Sequence, residues 1–515
     1  MRRPDGVAVR CDGDGVSWSE LARRSNGVAR ALLDSGVERG DRVAVLLGKS
    51  LKVPAAFYGV LAAGAALVPI DPKSPPSQIE RVMRATGATR IVAEPERARS
   101  VATLAAACPE LSHALGVEDL DGSSVSVMSW SAVDGMASDE PPRVDVGGLD
   151  TSYIQHTSGS TGEPKLIRHT HASALAFVDW AVDEYRLTPD DRLSNHSSHH
   201  TCFATFDYYA AARVAATTVI LTPAAMFLPA SLAELVERER ISVWYSVPTA
   251  LVQLLLRGNL PERDLGALRW VLFAGETFPE KHLRALRARL PQARFSHVYG
   301  STEVNVCTFY HLPADGEVSG PLPIGRPCSN SRALVVDAAG EPVEAGATGE
   351  LLIHGSTVMS GYWSDPERNR KALVQRPEPG GFESTWFRTG DRVRTLGNGN
   401  LTFAGRADLQ IKVRGHRVEL EEVENALLGL EHVHEAAAFA IPGMEDSLTI
   451  HAAVVVDPGS GAGQKDLLKG LRRSLPPYAL PEVIDIVAGL PRTPTGKVDR
   501  KQLVAAISEK AGDND

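Results

Sequence analysis

The stretch Thr157-Ser-Gly-Ser-Thr-Gly-Glu-Pro-Lys165 decides how this sequence is read. Before it, residues 152–156 read as a short strand entering a buried sheet. After it, residues 166–170 read as a second strand and residues 172–182 as a helix. The loop between the strands is made of hydroxyls, glycines and one lysine. Gly159 and Gly162 let the backbone bend sharply and bring N–H groups close to an anion. Thr157, Ser158, Ser160 and Thr161 add donors that rotate to suit phosphate oxygens, and Lys165 adds a positive charge. The physical reading is a phosphate clamp. It is not a Walker A loop, because the Gly-Lys-Ser/Thr ending is missing and Pro164 precedes the lysine.

At 515 residues the chain exceeds one ordinary core, so two or more domains are expected. A hydrophobic content of 43% and a charged content of 23% are those of a soluble globular protein. The net charge of -9 and the lack of a dense basic block argue against nucleic-acid binding. Cys11, Cys108, Cys202, Cys307 and Cys328 are scattered without CxxC or metal-ligand spacing, which fits free thiols in a reducing cytoplasm. Arg2 and Arg3 have no apolar stretch behind them, so no signal peptide is expected. The alanine-rich run 55–67 is too short to span a bilayer, and no membrane association is expected.

Outward from the clamp, the chain alternates helix-like and strand-like pieces. Helical spacing covers 19–35 and 51–63, with strand runs at 42–47 and 66–70. Further strands are expected at 217–221, 243–246 and 270–273, and helices at 231–240, 250–256 and 280–289. This βαβ rhythm predicts a large multi-sheet α/β domain. Residues 119–150 are polar, with Ser, Gly and Pro, and read as a loop-rich connection. Residues 320–404 are punctuated by glycine and β-rich, which suggests a subdomain. From about Asp408 the chain mixes helices (419–428, 464–474) with strands (436–440, 448–456). The expected division is an α/β core over 1–407 and a small mobile α+β domain over 408–515.

Four later motifs follow the clamp in order: Val298-Tyr-Gly-Ser-Thr-Glu303, Trp386-Phe-Arg-Thr-Gly-Asp391, Gly405-Arg-Ala-Asp-Leu-Gln-Ile-Lys-Val-Arg-Gly415 and Pro491-Arg-Thr-Pro-Thr-Gly-Lys497. Together with the clamp they resemble the adenylate-forming superfamily of acyl-CoA synthetases, luciferases and nonribosomal peptide synthetase adenylation domains. The resemblance covers essentially the whole chain. It lies nearest the stand-alone enzymes that load amino acids onto carrier proteins. Gly64-Ala-Ala-Leu-Val-Pro-Ile-Asp-Pro72 resembles their early motif, and Gly415-His-Arg-Val-Glu-Leu-Glu-Glu-Val-Glu424 the helix after their hinge.

The resemblance implies that a carboxylate attacks the α-phosphate of ATP, giving an acyl-adenylate and pyrophosphate. Charge builds on phosphoryl oxygens, so positioned cations and N–H groups are expected to supply most of the catalysis. The clamp would hold the β and γ phosphates, and Tyr299 would lie against adenine, with Gly275, Glu276, Gly300 and Ser301 also around the nucleotide. Thr302 would reach the α-phosphate, and Glu303 is a hard oxygen ligand for Mg²⁺. Asp391 would accept from both ribose hydroxyls, and Arg406 would reach the ribose or a phosphate. Lys497 would bridge the substrate carboxylate and the α-phosphate, where a cation is needed between two anions. Asp408 matches the hinge about which the small domain swings between two half-reactions.

One stretch departs from the family. Amino-acid-activating relatives carry an aspartate, usually in a Phe-Asp pair, for the substrate ammonium. A Phe-Asp pair stands at Phe206-Asp207, yet counting back from Ala215-Ala-Thr-Thr-Val219 puts the usual aspartate near Cys202 instead. Either Asp207 takes the amine, or the amine is held elsewhere, or the substrate carries none in that place, because a thiol is no counter-ion. The remaining pocket positions implied by the resemblance are Phe203, Tyr245, Leu272, Ala274, Val298, Val306 and Cys307. With no basic residue among them, a small or medium, largely apolar acid is expected, possibly a β- or other non-α-amino acid. The chain ends soon after Lys497 with no phosphopantetheine-bearing domain, so a separate carrier protein is the expected partner. An acyl- or aryl-CoA ligase is the alternative.

Overall fold

A computed structural model describes residues 3–120, 122–157, 163–314, 322–406, 410–443, 447–457, 459–492 and 498–505. Its contacts divide the chain into two compact units. One comprises residues 1–72, 83–155 and 166–407, and the other residues 73–82, 156–165 and 408–515.

Two large sheets organise the first unit. In one, the strand order among the described residues is Arg326–Pro327, Asn305–His311, Arg294–Ser301, Trp270–Phe273, Val243–Ser246, Arg192–Asn195, Thr217–Ile220, Val7–Cys11, Asp14–Ser17. The strands from Arg294–Ser301 to Val7–Cys11 pair in parallel. Val243–Ser246, Trp270–Phe273 and Thr217–Ile220 are buried at every residue, as strands covered on both faces must be. That covering explains why they read as continuous apolar runs rather than alternating ones. The second sheet runs Gly361–Tyr362, Lys165–Thr170, Thr151–Thr157, Ala66–Pro69, Arg42–Leu46, Arg90–Ala93, His113–Leu115, Ser126–Met128. The clamp thus joins two neighbouring strands of this sheet.

Helices begin where side chains can take the first free N–H groups. Ser17 accepts from Glu20 N–H at the start of Trp18–Asp34. Thr170 and Ser173 form a reciprocal capping box at the start of His171–Glu184. The segment 119–150 carries a short strand, Ser126–Met128, and a helix, Trp130–Gly135, that its polar composition concealed. The β-rich subdomain is an antiparallel sheet of Ser331–Val336, Thr348–Gly355, Glu383–Thr395 and Leu373–Pro377, with Leu401–Arg406 paired to Glu383–Thr395.

The second unit contains the hairpin Gln410–Val413/His416–Glu419 and the sheet Val433–Pro442, Leu448–Val456, Val483–Ile486. Helices Leu420–Leu428 and Gln464–Leu471 pack with that sheet around Val423, Leu427, Ile450, Leu467 and Ile484. Among the described residues, no helix is long and apolar enough to cross a membrane.

Candidate active site

The motif around Tyr299 forms the end of a strand, a tight turn and the return strand. Gly300 has no space for a side chain, since a Cβ there would lie 1.6 Å from the Asn305 carbonyl oxygen. The register shifts at Tyr299/Gly300, and Asn305 takes a left-handed conformation (φ 54°) to close the turn. The turn is bolted down from outside. His169 Nε2–H donates to the Thr302 carbonyl at 2.7 Å, and Met359 N–H donates to the Glu303 carbonyl at 2.8 Å. The Tyr362 hydroxyl donates to Glu303 Oε1 at 3.0 Å. Glu303 is fully buried. Burial also pushes His169 down to about 4, so its ring stays neutral and keeps a single N–H for Thr302.

On the same side of the chain's chemistry, Asp391 is gripped from two directions. The Tyr299 hydroxyl donates to its Oδ2, and Arg406 Nη1 donates to its Oδ1. Arg406 Nη1 also reaches the Thr389 carbonyl at 3.4 Å, and Asp391 N–H donates to Thr389 Oγ1 at 3.0 Å. Burial, with the Asp391 carboxylate close by, holds the Tyr299 phenol well above its usual range. The structure therefore brings Tyr299, Asp391 and Arg406 into one hydrogen-bonded group. Gly275 adopts φ +95°, and the next residue, Glu276, accepts from Thr249 N–H at 3.2 Å and Thr249 Oγ1 at 2.6 Å.

In the first unit the buried hydroxyl Ser301 Oγ has no hydrogen-bond partner among the described residues, and in the second unit neither has Thr157 Oγ1. A buried polar group without a partner is costly, and each by itself is a donor that suits an anionic ligand. Lys165, within the second unit, donates to Glu419, which also accepts from Gln410 Nε2. Ser158, Gly159, Ser160, Thr161, Gly162, Asp408 and Lys497 lie outside the described residues. Among the described residues no group of three or more His, Cys, Asp or Glu could hold a metal ion. A single buried carboxylate, Glu303, nevertheless fits Mg²⁺, which binds through one or two carboxylates and otherwise through substrate phosphates.

The apolar pocket positions fall largely in one cluster. Phe206, Tyr245, Leu272, Ala274, Val298 and Val306 are buried together, with Phe203 packed against them. The Tyr245 ring lies 4.5 Å from that of Phe203 and meets Phe206 edge-on at 5.4 Å. Cys202 precedes Phe203 and is partly exposed. Two candidates stand apart from the cluster. Cys307 packs instead with Ile167, Val304 and Ile324, because neighbours along a strand face opposite sides and Val306 takes the pocket side. Asp207 is fully buried, and its Oδ2 accepts from Asn195 Nδ2 at 2.9 Å. Burial holds its carboxyl well above the usual carboxylate range, opposed by the Asn195 bond and by Lys49. Burial thus disfavours the charged form that would pair with an ammonium.

Sequence reasoning missed His169, Tyr362, Asn195 and Lys49. Lys49 Nζ donates to the carbonyls of Asn195 and His196 at 2.6 Å each. None of the four sits in a recognisable motif. The one available signal was His169, four residues past Lys165 on a strand already assigned.

With this geometry in hand, comparison with known proteins places the chain. Residues 1–363 match the model of the AMP-binding enzyme family, and residues 422–497 match the AMP-binding enzyme C-terminal domain. The chain is 33% identical to an L-proline–[L-prolyl-carrier protein] ligase of Pseudomonas fluorescens, over 98% of this chain and 97% of that one. It is 34% identical to a ligase of the same name from Streptomyces coelicolor, over 95% and 92%. Among solved structures it resembles an amide bond synthetase from Marinactinospora thermotolerans, with TM-score 0.86, 26% identity and coverage of 98% and 97%. The chain belongs to the AMP-binding enzyme family, as an AMP-forming ligase.

Proposed function

We propose that this chain uses ATP to adenylate a small or medium, largely apolar amino acid and then passes the acyl group to the phosphopantetheine thiol of a separate carrier protein. The observation that carries the reading is full-length likeness to two carrier-protein ligases at 33% and 34% identity. In the first step a carboxylate oxygen of the acid bonds to the α-phosphorus of ATP, and the bond to pyrophosphate breaks. In the second, the thiol sulfur bonds to the acyl carbon, AMP departs, and the thiol proton is lost to solvent.

Within this reading the loop 157–162 and Lys165 hold the outer phosphates, and Ser301 and Thr302 face the α-phosphate. Tyr299 lies on adenine, with Gly275, Glu276 and Gly300 beside it, and Asp391 accepts from the ribose hydroxyls, oriented by Arg406. Lys497 stands between the two anions, and Asp408 is the hinge. Mg²⁺, held by Glu303 and the phosphates, would neutralise charge during phosphoryl transfer. The apolar cluster around Phe206 and Tyr245 receives the acid. Proline, named for both relatives, fits this size class. The buried Asp207, whose charged form burial disfavours, and the thiol at Cys202 favour an amine that does not rely on a carboxylate at the common α-ammonium position; a β-amino acid is the alternative version of this reading.

A second reading, an acyl- or aryl-CoA ligase, is favoured by the count along the sequence that puts the family's usual aspartate near Cys202. The test supplies ATP and each candidate acid with one acceptor at a time: holo-carrier protein, coenzyme A, or a free amine. Mass-shifted carrier with no acyl-CoA and no amide is expected. Acyl-CoA or amide as the sole product would overturn the carrier assignment.

A further inference from the structure

Residues Thr205–Ala210 form a π-helix, a wide turn that is rare and occurs mostly at functional sites. It ends in the short helix Ala211–Val214, closed by Ala215 in a left-handed conformation. Side chains from three other segments hold the wide turn. Thr218 Oγ1 donates to the Asp207 carbonyl at 2.6 Å, and the Tyr58 hydroxyl donates to the Tyr208 carbonyl at 2.9 Å. Asn195 Nδ2 donates to Asp207 Oδ2 at 2.9 Å, while Asn195 Oδ1 accepts from the Tyr208 hydroxyl at 3.3 Å. Asn195, Asp207, Thr218 and Tyr208 are all buried, so these bonds have no water to replace them.

The turn sends consecutive side chains into different parts of the core. Phe206 packs edge-on against Tyr245 and Tyr185, whereas Tyr208 packs edge-on against Phe57. Tightening the turn to an ordinary α-helix would change the angle between successive residues and swing Phe206 away from Tyr245. The Phe206 ring therefore keeps its place because hydroxyls elsewhere hold the carbonyls of the next two residues.

We propose that Thr218, Tyr58 and Asn195 are positioning residues that hold this π-turn open, and that through it they set which acids fit against Phe206 and Tyr245. The proposal rests on the reading above, in which the acid lies in that cluster. None of the three needs to touch the acid.

The test uses Thr218→Val, which keeps the shape and removes the donor to Asp207, with Thr218→Ser as the conservative control and Tyr58→Phe as a second, independent removal. Acid-dependent pyrophosphate release gives kcat/KM for the best amino acid of a panel and for the next larger one that turns over, together with KM for ATP. Thr218→Val is expected to change the ratio between the two acids by about tenfold, the scale on which a pocket discriminates by size, with KM for ATP within about twofold of wild type. Thr218→Ser is expected to keep the wild-type ratio. A loss of activity equal for both acids, or a Thr218→Ser ratio no closer to wild type than that of Thr218→Val, would overturn the proposal. If Thr218→Val does not fold, Tyr58→Phe is judged by the same ratio. A wild type that releases pyrophosphate with no acid refutes the functional reading and this inference with it. An active wild type whose ratio is unmoved by either variant refutes the inference alone.

Discussion

Two regions of the first unit are held together by different means. Thr302, Glu303 and Asp391 are each fixed by a polar partner from a distant segment: His169, Tyr362, and the pair Tyr299 and Arg406. Leu272, Ala274, Val298 and Val306 are held by packing alone, and Phe206 by packing on a turn that hydroxyls keep open. A polar partnership demands one residue type at each end, and removing one end strands the other. Packing asks only for apolar volume, so it tolerates exchange. The first region should therefore carry rate and nucleotide affinity, and the second should carry the choice of acid.

The sharpest contrast is expected at Lys497, the cation of the proposed first step. Lys497→Ala should cut adenylation by roughly a hundredfold or more, the scale of one lost transition-state charge contact. Thioester formation from supplied acyl-adenylate should survive, and equal loss of both steps would break the proposed division of labour.

Acid should act on the polar region through His169. His169 has its folded value lowered to about 4 from an ordinary 6.5. Between these the unfolded chain binds the extra proton, so stability is full above pH 6.5 and is lost as pH falls towards 4, by about 3 kcal/mol from this group. Denaturant midpoints measured across this window should fall, and His169→Gln, which keeps a donor for Thr302, should flatten the slope.

Asp391→Ala should raise KM for ATP by about tenfold to a hundredfold, since it also removes the acceptor that Tyr299 and Arg406 share, while the ranking of acids stays fixed. Glu303→Gln keeps the shape and removes a charge. A magnesium titration of adenylation should shift by about tenfold, and an unchanged titration would show that Glu303 is no ligand. Smallest of all, Leu272→Met should cost less than about 1.5 kcal/mol of stability and leave KM for ATP alone, yet alter relative turnover of acids by a few-fold. A larger effect on ATP than on acid selection would reverse the contrast.

The same division explains what could be read from the sequence. The strands flanking the clamp, expected at 152–156 and 166–170, are Thr151–Thr157 and Lys165–Thr170. The apolar runs at 243–246 and 270–273 are strands over the same residues, because covering on both faces leaves an uninterrupted apolar signature. The Tyr299 and Asp391 motifs were visible because their chemistry restricts residue type at fixed spacing. Their partners His169 and Tyr362 were not, since a hydrogen bond across the fold leaves no local pattern. Cys307 packs apart from the other pocket positions because a strand's alternation has to be counted from its pairing, and the register shift at Tyr299/Gly300 changes that count. The π-turn left no mark either. Phe206-Asp207 reads as a family pair by composition, and only the bond from Asn195 shows that the Asp207 carboxyl meets another side chain.

The account's central claim is that the chain activates an amino acid as its adenylate. Exchange of labelled pyrophosphate into ATP, measured with the wild-type chain and Mg²⁺ and one acid at a time, tests this most directly. The panel holds L-proline, other apolar α-amino acids, β-amino acids, and aryl and short aliphatic acids without an amine. The account predicts strong exchange with at least one apolar amino acid and little with its amine-free analogue. Exchange driven only by amine-free acids, or by none of the panel, would contradict it.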